Sequence, residues 1–557
     1  MSETPRETTP IDGIADAWVD TVARLSPAIA TYIGRFEHND RLGDYSPSGT
    51  AALADAVRAT LAALDAATPV DAVDEVTKLD LTRELRLELE LIDARAPLRD
   101  LNVIASPSQD IRSVFDLMPT DTEDDWAVIA RRLGAIPDAI DGYVTTLRQG
   151  VAEGVTPARR QVAEVAGQIA RYTAPDGFFE TFVAGARPGG GEAPASLAAD
   201  LAAGSAAARA AYDGLAAFLV EELAPRAQER DAVGRELYAL RSRGFLGAAV
   251  DLDETYEWGI EELARMVAEQ EGVADEISPG ATVEEAVAIL EADPARKLRG
   301  TEALQRWMQE TSDRAIEELA RTHFDIADPI RRLECMIAPT NEGGIYYTGP
   351  TDDFSRPGRM WWSVPEGVTE FDTWRELTTV YHEGVPGHHL QIAQAVYNRG
   401  ELNSWRRLLA GTSGHAEGWA LYAERLMQEL GYLDDPADRL GMLDGQRMRA
   451  ARVVLDIGVH LEKPRPDDEG VWDADYALAF MRRNVNMPDE FVRFEVNRYL
   501  GWPGQAPSYK VGQRIWEQLR DDYADARGAD YSAREFHRRA LDLGGVGLDT
   551  LRVALAG

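Results

Sequence analysis

The chain of 557 residues is short of several residue types, and each shortage excludes a class of protein. A single cysteine, Cys335, cannot form an intrachain disulfide, so we expect a buried structural thiol and no disulfide framework. Only four of the 58 basic side chains are lysines, and 95 acidic side chains outnumber the basic ones. The resulting net charge of −37 argues against nucleic acid and anionic membranes as partners.

Long apolar runs are also missing. None approaches the roughly 20 residues that span a bilayer. The segment Met1–Asp12 is polar and has no apolar signal core. These features predict a cytoplasmic protein without a membrane partner, and its 45% hydrophobic content allows a large core.

Apolar residues recur at helical spacing along most of the chain, for example in residues 15–25 and 79–91. The exception is the stretch 343–365, where two aromatic and β-branched runs, 345–350 and 359–365, flank a turn rich in proline and aspartate. We therefore predict an all-α, mainly helical fold with one small β-hairpin. A free edge of that hairpin could bind an extended peptide through backbone hydrogen bonds.

The most informative stretch follows this hairpin. It contains His382, Glu383, His388 and His389, three of the eight histidines of the chain. Neutral imidazoles bind zinc, and a carboxylate beside them can activate the attacking water. The alternative is the end of a surface helix that carries a few histidines and binds no metal, but the clustering of histidines in a histidine-poor chain favours a metal site.

The spacing of this motif departs from the usual H-E-x-x-H, in which the histidines are four residues apart on one helix. On an unbroken helix, a seven-residue step would separate two positions by about 10.5 Å, which is too far to share an ion. The helix must therefore break between His382 and the second ligand. Gly384, Pro386 and Gly387 are residues that allow such a break.

A second predicted helix, residues 414–424, supplies the third ligand that a two-histidine zinc site needs. Glu417 is the candidate ligand. Glu424 lies seven residues later, near the same helical face, and could support a ligand from behind.

A third predicted helix, residues 445–461, carries Arg452, Asp456 and His460 at four-residue steps, hence on one face. They form either a salt-bridge stripe or a carboxylate that orients His460 toward the site.

A further segment, residues 494–512, contains a sharp Pro-Gly turn followed by the start of a helix. Arg498, Tyr499, Tyr509 and Lys510 in this segment are candidates for contacts with anions or with the oxyanion of a reaction intermediate.

These motifs resemble those of a large bacterial family that is catalogued as a domain of unknown function and often described as zinc peptidases or lipoproteins. The resemblance covers nearly the whole chain, and its specific motifs are His-Glu-Gly-Val-Pro-Gly-His-His, Glu-Gly-Trp-Ala-Leu-Tyr-Ala-Glu, the Arg452-Asp456-His460 stripe and Pro-Gly-Gln-Ala-Pro-Ser-Tyr-Lys. Many members of that family carry a lipoprotein signal, and the polar segment Met1–Asp12 predicts none here.

The family is similar to the helical gluzincins, such as the thimet-like oligopeptidases and the thermostable carboxypeptidases. This likeness implies a two-lobed, nearly all-helical unit around a channel, with residues 1–557 as one peptidase-like unit, 1–300 as the N-terminal helical lobe and 301–557 as the catalytic lobe. It also implies two histidines and a downstream glutamate as ligands of one Zn²⁺ per chain. The second histidine of gluzincins usually follows a glycine, which favours His388, with His389 as the alternative.

Together the residues and the resemblance predict a zinc-dependent peptidase acting on short peptides, in which Glu383 is the general base and Tyr509 or His460 stabilises the oxyanion. Lys510 would bind the C-terminal carboxylate of the substrate, as in a carboxypeptidase. The alternatives are a hydrolase of non-peptide amides or esters and a non-catalytic metal-binding helical protein. The oligomeric state stays open, with a homodimer among the options.

Overall fold

The computed structural model describes residues 6–338, 344–467 and 469–556 of the chain. Helices make up 69% and strands 4% of the structure, which confirms the predicted mainly helical fold with a small β element. No helix in the described residues is both long and apolar enough to cross a membrane.

Local sequence signals mark the starts of most of the first ten α-helices. At the first, the Thr9 side chain accepts a hydrogen bond from the Asp12 backbone, and the Asp12 carboxylate accepts one from the Thr9 backbone. Several others begin with proline. The N–H group at the first position of a helix has no partner within the helix, so proline, which lacks it, loses no hydrogen bond there. The helices are α1 (Pro10–Leu25), α2 (Pro27–Tyr32), α3 (Pro47–Ala66), α4 (Ala72–Asp93), α5 (Pro107–Ser113), α6 (Glu123–Gly134), α7 (Ile136–Glu153), α8 (Arg159–Thr173), α9 (Phe178–Ala184) and α10 (Ala195–Phe218).

The later part of the chain is also helical and contains the segments singled out in the sequence. Asp435 caps the longest of the predicted site helices, α19, through the backbone N–H of Ala437. The helices are α11 (Arg235–Leu246), α12 (Leu252–Ile277), α13 (Val283–Ala292), α14 (Thr301–Thr322), α15 (Thr373–Glu383), α16 (His388–Tyr397), α17 (Ser404–Leu408), α18 (Ser413–Glu429), α19 (Pro436–His460), α20 (Ala474–Asn484), α21 (Asp489–Gly501), α22 (Ser508–Arg527), α23 (Ala533–Asp542) and α24 (Leu548–Ala556).

Two small sheets lie before α15. The strands are β1 (Lys297–Arg299), β2 (Leu333–Ile337), β3 (Ile345–Thr348), β4 (Gly358–Trp362) and β5 (Glu370–Asp372). The antiparallel pair of β3 and β4 is the predicted hairpin, and Gly343 at its predicted start lies outside the described residues. Strand β2 joins β4 in parallel, so the strand order is β2-β4-β3 and β3 forms an edge.

The buried apolar side chains of the described residues form three clusters. One lies in residues 101–227, a larger one begins at Tyr238 and continues to Leu555, and a third joins residues 15–85 to Trp405. The predicted lobe boundary at residue 300 therefore falls inside the larger cluster, because α11 to α14 pack with the helices that follow them.

Glycines bring α18 and α22 into backbone contact. A Cβ atom on Gly418 would lie 2.5 Å from the Gly512 carbonyl carbon, and one on Gly512 would lie 2.5 Å from the Gly414 carbonyl oxygen. Any side chain at these positions would push the helices apart. The close approach places the start of α22, with Tyr509, beside Glu417 on α18.

Candidate metal centre

The predicted break in the motif helix is present. Helix α15 ends at Glu383 and α16 begins at His388, with non-helical backbone angles at Gly384 (ψ −127°) and Gly387 (ψ −132°). A Cβ on Gly387 would lie 1.9 Å from the carbonyl oxygen of His382, so only glycine fits this turn. The break brings the second histidine next to the first.

Three side chains converge beside this break. The imidazole rings of His382 and His388 are 4.8 Å apart between centroids and nearly perpendicular. On α18, the Oε2 atom of Glu417 lies 3.3 Å from Nε2 of His382 and 3.6 Å from Nε2 of His388. This carboxylate oxygen is buried and has no hydrogen-bond partner within the described part of the chain. A cation between the three side chains would satisfy it.

These distances fit a zinc ion. Two ligand atoms at the corners of a tetrahedron, each about 2.0–2.1 Å from the ion, are about 3.4 Å apart. The observed separations of 3.3 and 3.6 Å agree with this value. The Glu417 side chain is 23% exposed and that of His388 is 12% exposed, so the cluster reaches solvent on one side. Three protein ligands with one open side are typical of catalytic rather than structural zinc.

Glu383 lies immediately beside the candidate ligands. One of its carboxylate oxygens and one ring nitrogen each of His382 and His388 lie within 4.8 Å of one another. The Oε2 atom of Glu383 is buried and also has no hydrogen-bond partner among the described residues. A carboxylate in this position is suited to take up a proton from a water molecule at the cluster.

A chain of buried hydrogen bonds holds His382 from behind. Its Nδ1 donates to Oε1 of Glu424 at 2.8 Å, and Nε2 of Gln446 donates to Oε2 of Glu424 at 3.1 Å. The ammonium of Lys510 in turn donates to Oε1 of Gln446 at 2.5 Å and forms an ion pair with Glu262 at 2.9 Å. With its proton on Nδ1, His382 directs the lone pair of Nε2 into the cluster. Glu424 therefore contacts His382 directly, and its role as the support of a metal ligand stays a prediction.

The charges of the cluster favour an ion. Burial opposes protonation of His382, but the adjacent Glu417 and Glu424 carboxylates raise its pKa to about 10. Burial also raises the pKa of Glu417, yet the two neighbouring imidazoles outweigh it and hold that pKa well below its usual range. Protein groups alone thus retain a proton that a metal cation would displace.

His389 faces away from the cluster. Its Nε2 donates to the carbonyl oxygen of Ile330 at 2.7 Å, so its Nδ1 accepts from the hydroxyl of Tyr347 at 2.9 Å. Burial lowers the pKa of His389 to about 4, so the ring is neutral. The alternative assignment of His389 as a ligand is therefore corrected, because both of its nitrogens are occupied and His388 faces Glu417 instead.

Tyr509 approaches the cluster from the first turn of α22. Burial raises the pKa of this half-buried phenol, and the Glu417 carboxylate adds to the effect, so its hydroxyl stays protonated and can donate a hydrogen bond. The guanidinium of Arg452 lies 5.1 Å from the centroid of the Tyr509 ring. Arg452 is itself held by the Tyr499 hydroxyl at 2.6 Å and by Glu495 at 2.7 Å. Arg452 therefore lies between the Tyr509 ring and the Tyr499 and Glu495 side chains, and its indirect role in the site stays a prediction.

His460 has a structural position. It is fully buried, and its Nε2 donates to the carbonyl oxygen of Tyr499 at 3.0 Å. Asp456 does not orient it, since the closest approach of the two side chains is 3.9 Å. The Asp456 carboxylate instead accepts from the Tyr238 hydroxyl at 2.6 Å and from the Gly504 backbone at 2.8 Å. The predicted oxyanion role of His460 is corrected, while Asp456 anchors the turn that precedes α22.

The predicted substrate contacts of Lys510, Arg498 and Tyr499 are corrected as well. All three N–H groups of the buried Lys510 ammonium have partners in the protein, the third being Gln513 at 3.0 Å. Arg498 forms an ion pair with Glu495 at 3.0 Å and lies over the Tyr499 ring. Tyr499 is buried, with its hydroxyl between Arg452 and that carboxylate. These groups build the wall of the site and are engaged with other protein groups, apart from the Nε of Arg498, which is buried without a partner.

Three residues of the site were not predicted from the sequence. Gln446 and Arg449 precede Arg452 at steps of three residues on α19, so the stripe noted on this helix could have led to them. Glu262 lies on α12, far earlier in the chain, and no local pattern identifies it.

The fold and the cluster together define a class: a mainly helical protein with a two-histidine, one-glutamate cluster at a helix break. The chain belongs to the family described as bacterial protein of unknown function (DUF885), whose model matches residues 27–555. A comparison with curated proteins found no match.

Two solved structures share the fold. One, described as a "putative lipoprotein" from Colwellia psychrerythraea, has a TM-score of 0.84 and 22% sequence identity, with 99% of each chain covered. The other, described as a "putative lipoprotein of unknown function" from Shewanella oneidensis, has a TM-score of 0.76 and 18% identity over 99% of this chain and 100% of that one. At these identities the likeness extends to the fold alone.

Proposed function

We propose that this protein is a zinc-dependent peptidase that hydrolyses peptide bonds of short peptides, in the manner of a carboxypeptidase or an oligopeptidase. The observation that carries the proposal is the Glu417 oxygen, which is buried without a hydrogen bond 3.3 and 3.6 Å from two imidazole nitrogens. Glu383 beside the same cluster favours a catalytic site, since a structural zinc site has no need of a general base.

The chain's own residues divide the work of hydrolysis. His382, His388 and Glu417 would hold one Zn²⁺, and a zinc ion bound there acts as a Lewis acid toward a substrate carbonyl. Glu383 accepts a proton from the attacking water and passes it to the departing amine. The Tyr509 hydroxyl donates a hydrogen bond to the oxygen on which negative charge develops.

The hairpin offers a surface for an extended substrate. Strand β3 forms the edge of its sheet, and Tyr347 in this strand hydrogen-bonds His389, which directly follows His388 in the chain. A peptide paired with the outer edge of β3 through main-chain hydrogen bonds would run close to the cluster. This mode of binding reads the peptide backbone, which supports a peptide over an ester or a small amide as substrate.

The test combines metal analysis with a peptide-library digest read by mass spectrometry. Protein purified without chelator should contain one zinc per chain, and His382→Ala should lose it. Glu383→Gln should keep the metal and lower kcat by about 10²–10⁴-fold. The matched control is Glu429→Gln, because Glu429 is an exposed glutamate on α18 that pairs with Arg520.

Each outcome distinguishes the candidate functions. Stoichiometric metal that persists in His382→Ala would overturn the ligand assignment. Glu383-dependent cleavage of model esters or small amides, without cleavage of any peptide, would favour the hydrolase of non-peptide substrates. Bound metal with no hydrolysis of either kind would leave the non-catalytic metal-binding protein.

A further inference from the structure

The basic side chains around the candidate centre differ in one respect. Lys510 is paired with Glu262, and Arg452 and Arg498 both pair with Glu495. Arg449 forms no hydrogen bond and no ion pair with any described residue, and its Nε is buried without a partner.

Arg449 lies between two groups that touch the centre. On α19, Gln446 is three residues before it and contacts the support of His382, while Arg452 is three residues after it and lies over the Tyr509 ring. Each three-residue step advances about 4.5 Å along a helix and turns back by about 60°. Arg449 therefore lies between Gln446 and Arg452 both along the axis of α19 and around it. Its charge also acts on Glu424 and on Tyr509. The guanidinium is therefore part of the wall of the same site.

Gly445 on the same helix leaves room for the guanidinium of Arg449. A Cβ atom on Gly445 would lie 2.5 Å from Nη1 of Arg449, so the side chain folds back over the glycine toward the level of Gln446. The nearest acid on the helix, Asp444, is engaged elsewhere, by Arg375 at 3.5 Å. The protein thus holds a half-buried cation beside its candidate centre that forms no ion pair with any described residue, while the carboxylates of Glu424 and Asp444 act on it from a longer distance.

We infer that Arg449 binds the C-terminal carboxylate of the substrate, so that the enzyme removes one or two residues from the C-terminus of short peptides. A guanidinium offers two parallel N–H donors that match a carboxylate. In a chain of net charge −37, an anionic peptide end also needs a local positive group to enter. This inference rests on the proposed peptidase function and adds to it the end of the peptide that is recognised.

The experiment measures binding in the Glu383→Gln variant, which should slow turnover by about 10²–10⁴-fold and keep the site. The probes are one short peptide as the free acid and the same peptide as the C-terminal amide, each titrated calorimetrically into zinc-loaded protein. With Arg449 present, the acid should bind about 10- to 100-fold more tightly than the amide, as expected for a charge-assisted hydrogen-bonded pair. In Arg449→Met this preference should disappear, while affinity for the amide changes little.

Two further variants sharpen the result. Arg439→Met is the matched control, because Arg439 is on the same helix but pairs with Glu276; it should keep the preference for the acid. Gly445→Ala should reduce the preference without removing the charge, because the added methyl displaces the guanidinium. It serves as the second probe if Arg449→Met does not fold.

The outcomes separate this inference from the function on which it rests. Equal binding of acid and amide with Arg449 present, or an acid preference that survives in Arg449→Met, would overturn the inference. If the same wild-type protein still cleaves peptides, the proposed function stands without it. If neither peptide binds and no peptide is cleaved by the wild type, both proposals fall together.

Discussion

The support behind His382 gives the sharpest prediction for metal binding. Glu424 is buried, accepts a hydrogen bond from Nδ1 of His382 at 2.8 Å, and is held by Gln446 at 3.1 Å. In Glu424→Gln the amide oxygen can still accept from His382, but the charge is lost. A charge-assisted bond of about 1.5–3 kcal/mol then becomes a neutral one of about 0.5–1.5 kcal/mol, so zinc affinity should fall about tenfold.

Truncation removes the bond altogether. Glu424→Ala should weaken zinc binding by about 10- to 100-fold, as is typical when the partner of a ligating histidine is lost. Glu417→Ala should weaken it more than this, because it removes a ligand and not a support. The order Glu417→Ala, Glu424→Ala, Glu424→Gln, from the weakest binder to the strongest, is the expected result.

The assay is a competition titration against a zinc-chelating dye at fixed pH. Glu429→Gln, an exposed substitution on the same helix, should bind zinc like the wild type. Wild-type affinity in Glu424→Ala would show that His382 needs no support from Glu424. A larger loss in Glu424→Ala than in Glu417→Ala would transfer the ligand role to Glu424.

Three further predictions concern the folded chain. Gly387→Ala should lower the free energy of unfolding by about 2 kcal/mol or more and also lower the zinc content, since the new methyl meets a backbone oxygen at 1.9 Å. The control is Gly214→Ala, where a methyl meets no atom within 4 Å, and it should change neither quantity. Chemical denaturation and metal analysis measure the two effects. Lys510→Met should destabilise the protein by about 3 kcal/mol in chemical denaturation, because it leaves the buried Glu262 carboxylate without its ion-pair partner. It should not change the preference for the acid over the amide. Loss of that preference at full stability would show that Lys510 contacts the substrate after all. Burial raises the pKa of Glu84 from 4.5 to about 8. Its stabilising effect is therefore complete below about pH 4.5 and is lost as the pH rises through 8. Tm should fall between about pH 6 and 8.5, and an equally steep fall of Tm in Glu84→Gln would contradict the assignment.

The sequence predicted those parts of the structure that depend on nearby residues. Helical periodicity identified the helices, and alternation with aromatic residues identified the hairpin of β3 and β4. The break after Glu383 followed from geometry, because two histidines six or seven residues apart on a straight helix cannot share an ion. The metal assignment itself stays a prediction.

The errors arose where partners come from distant parts of the chain. Periodicity placed Asp456 and His460 on one face of α19 correctly, but it could not show that Asp456 would hold the turn at Gly504. Similarly, the rarity of lysine made Lys510 conspicuous, while its partner Glu262 lies on α12. A spacing rule describes one element, whereas the use of a charge depends on which elements pack around it.

The glycine contact between α18 and α22 also limits how this protein can move. At Gly414, Gly418 and Gly512 the two backbones touch directly, with no side chain between them that could change rotamer. Sliding of one helix along the other would force main-chain atoms to collide, so the two helices must move as a single rigid body. We therefore expect the backbones at Glu417 and Tyr509 to keep their spacing whether or not a substrate is bound. Any opening or closing of the site has to occur in the elements that face this pair.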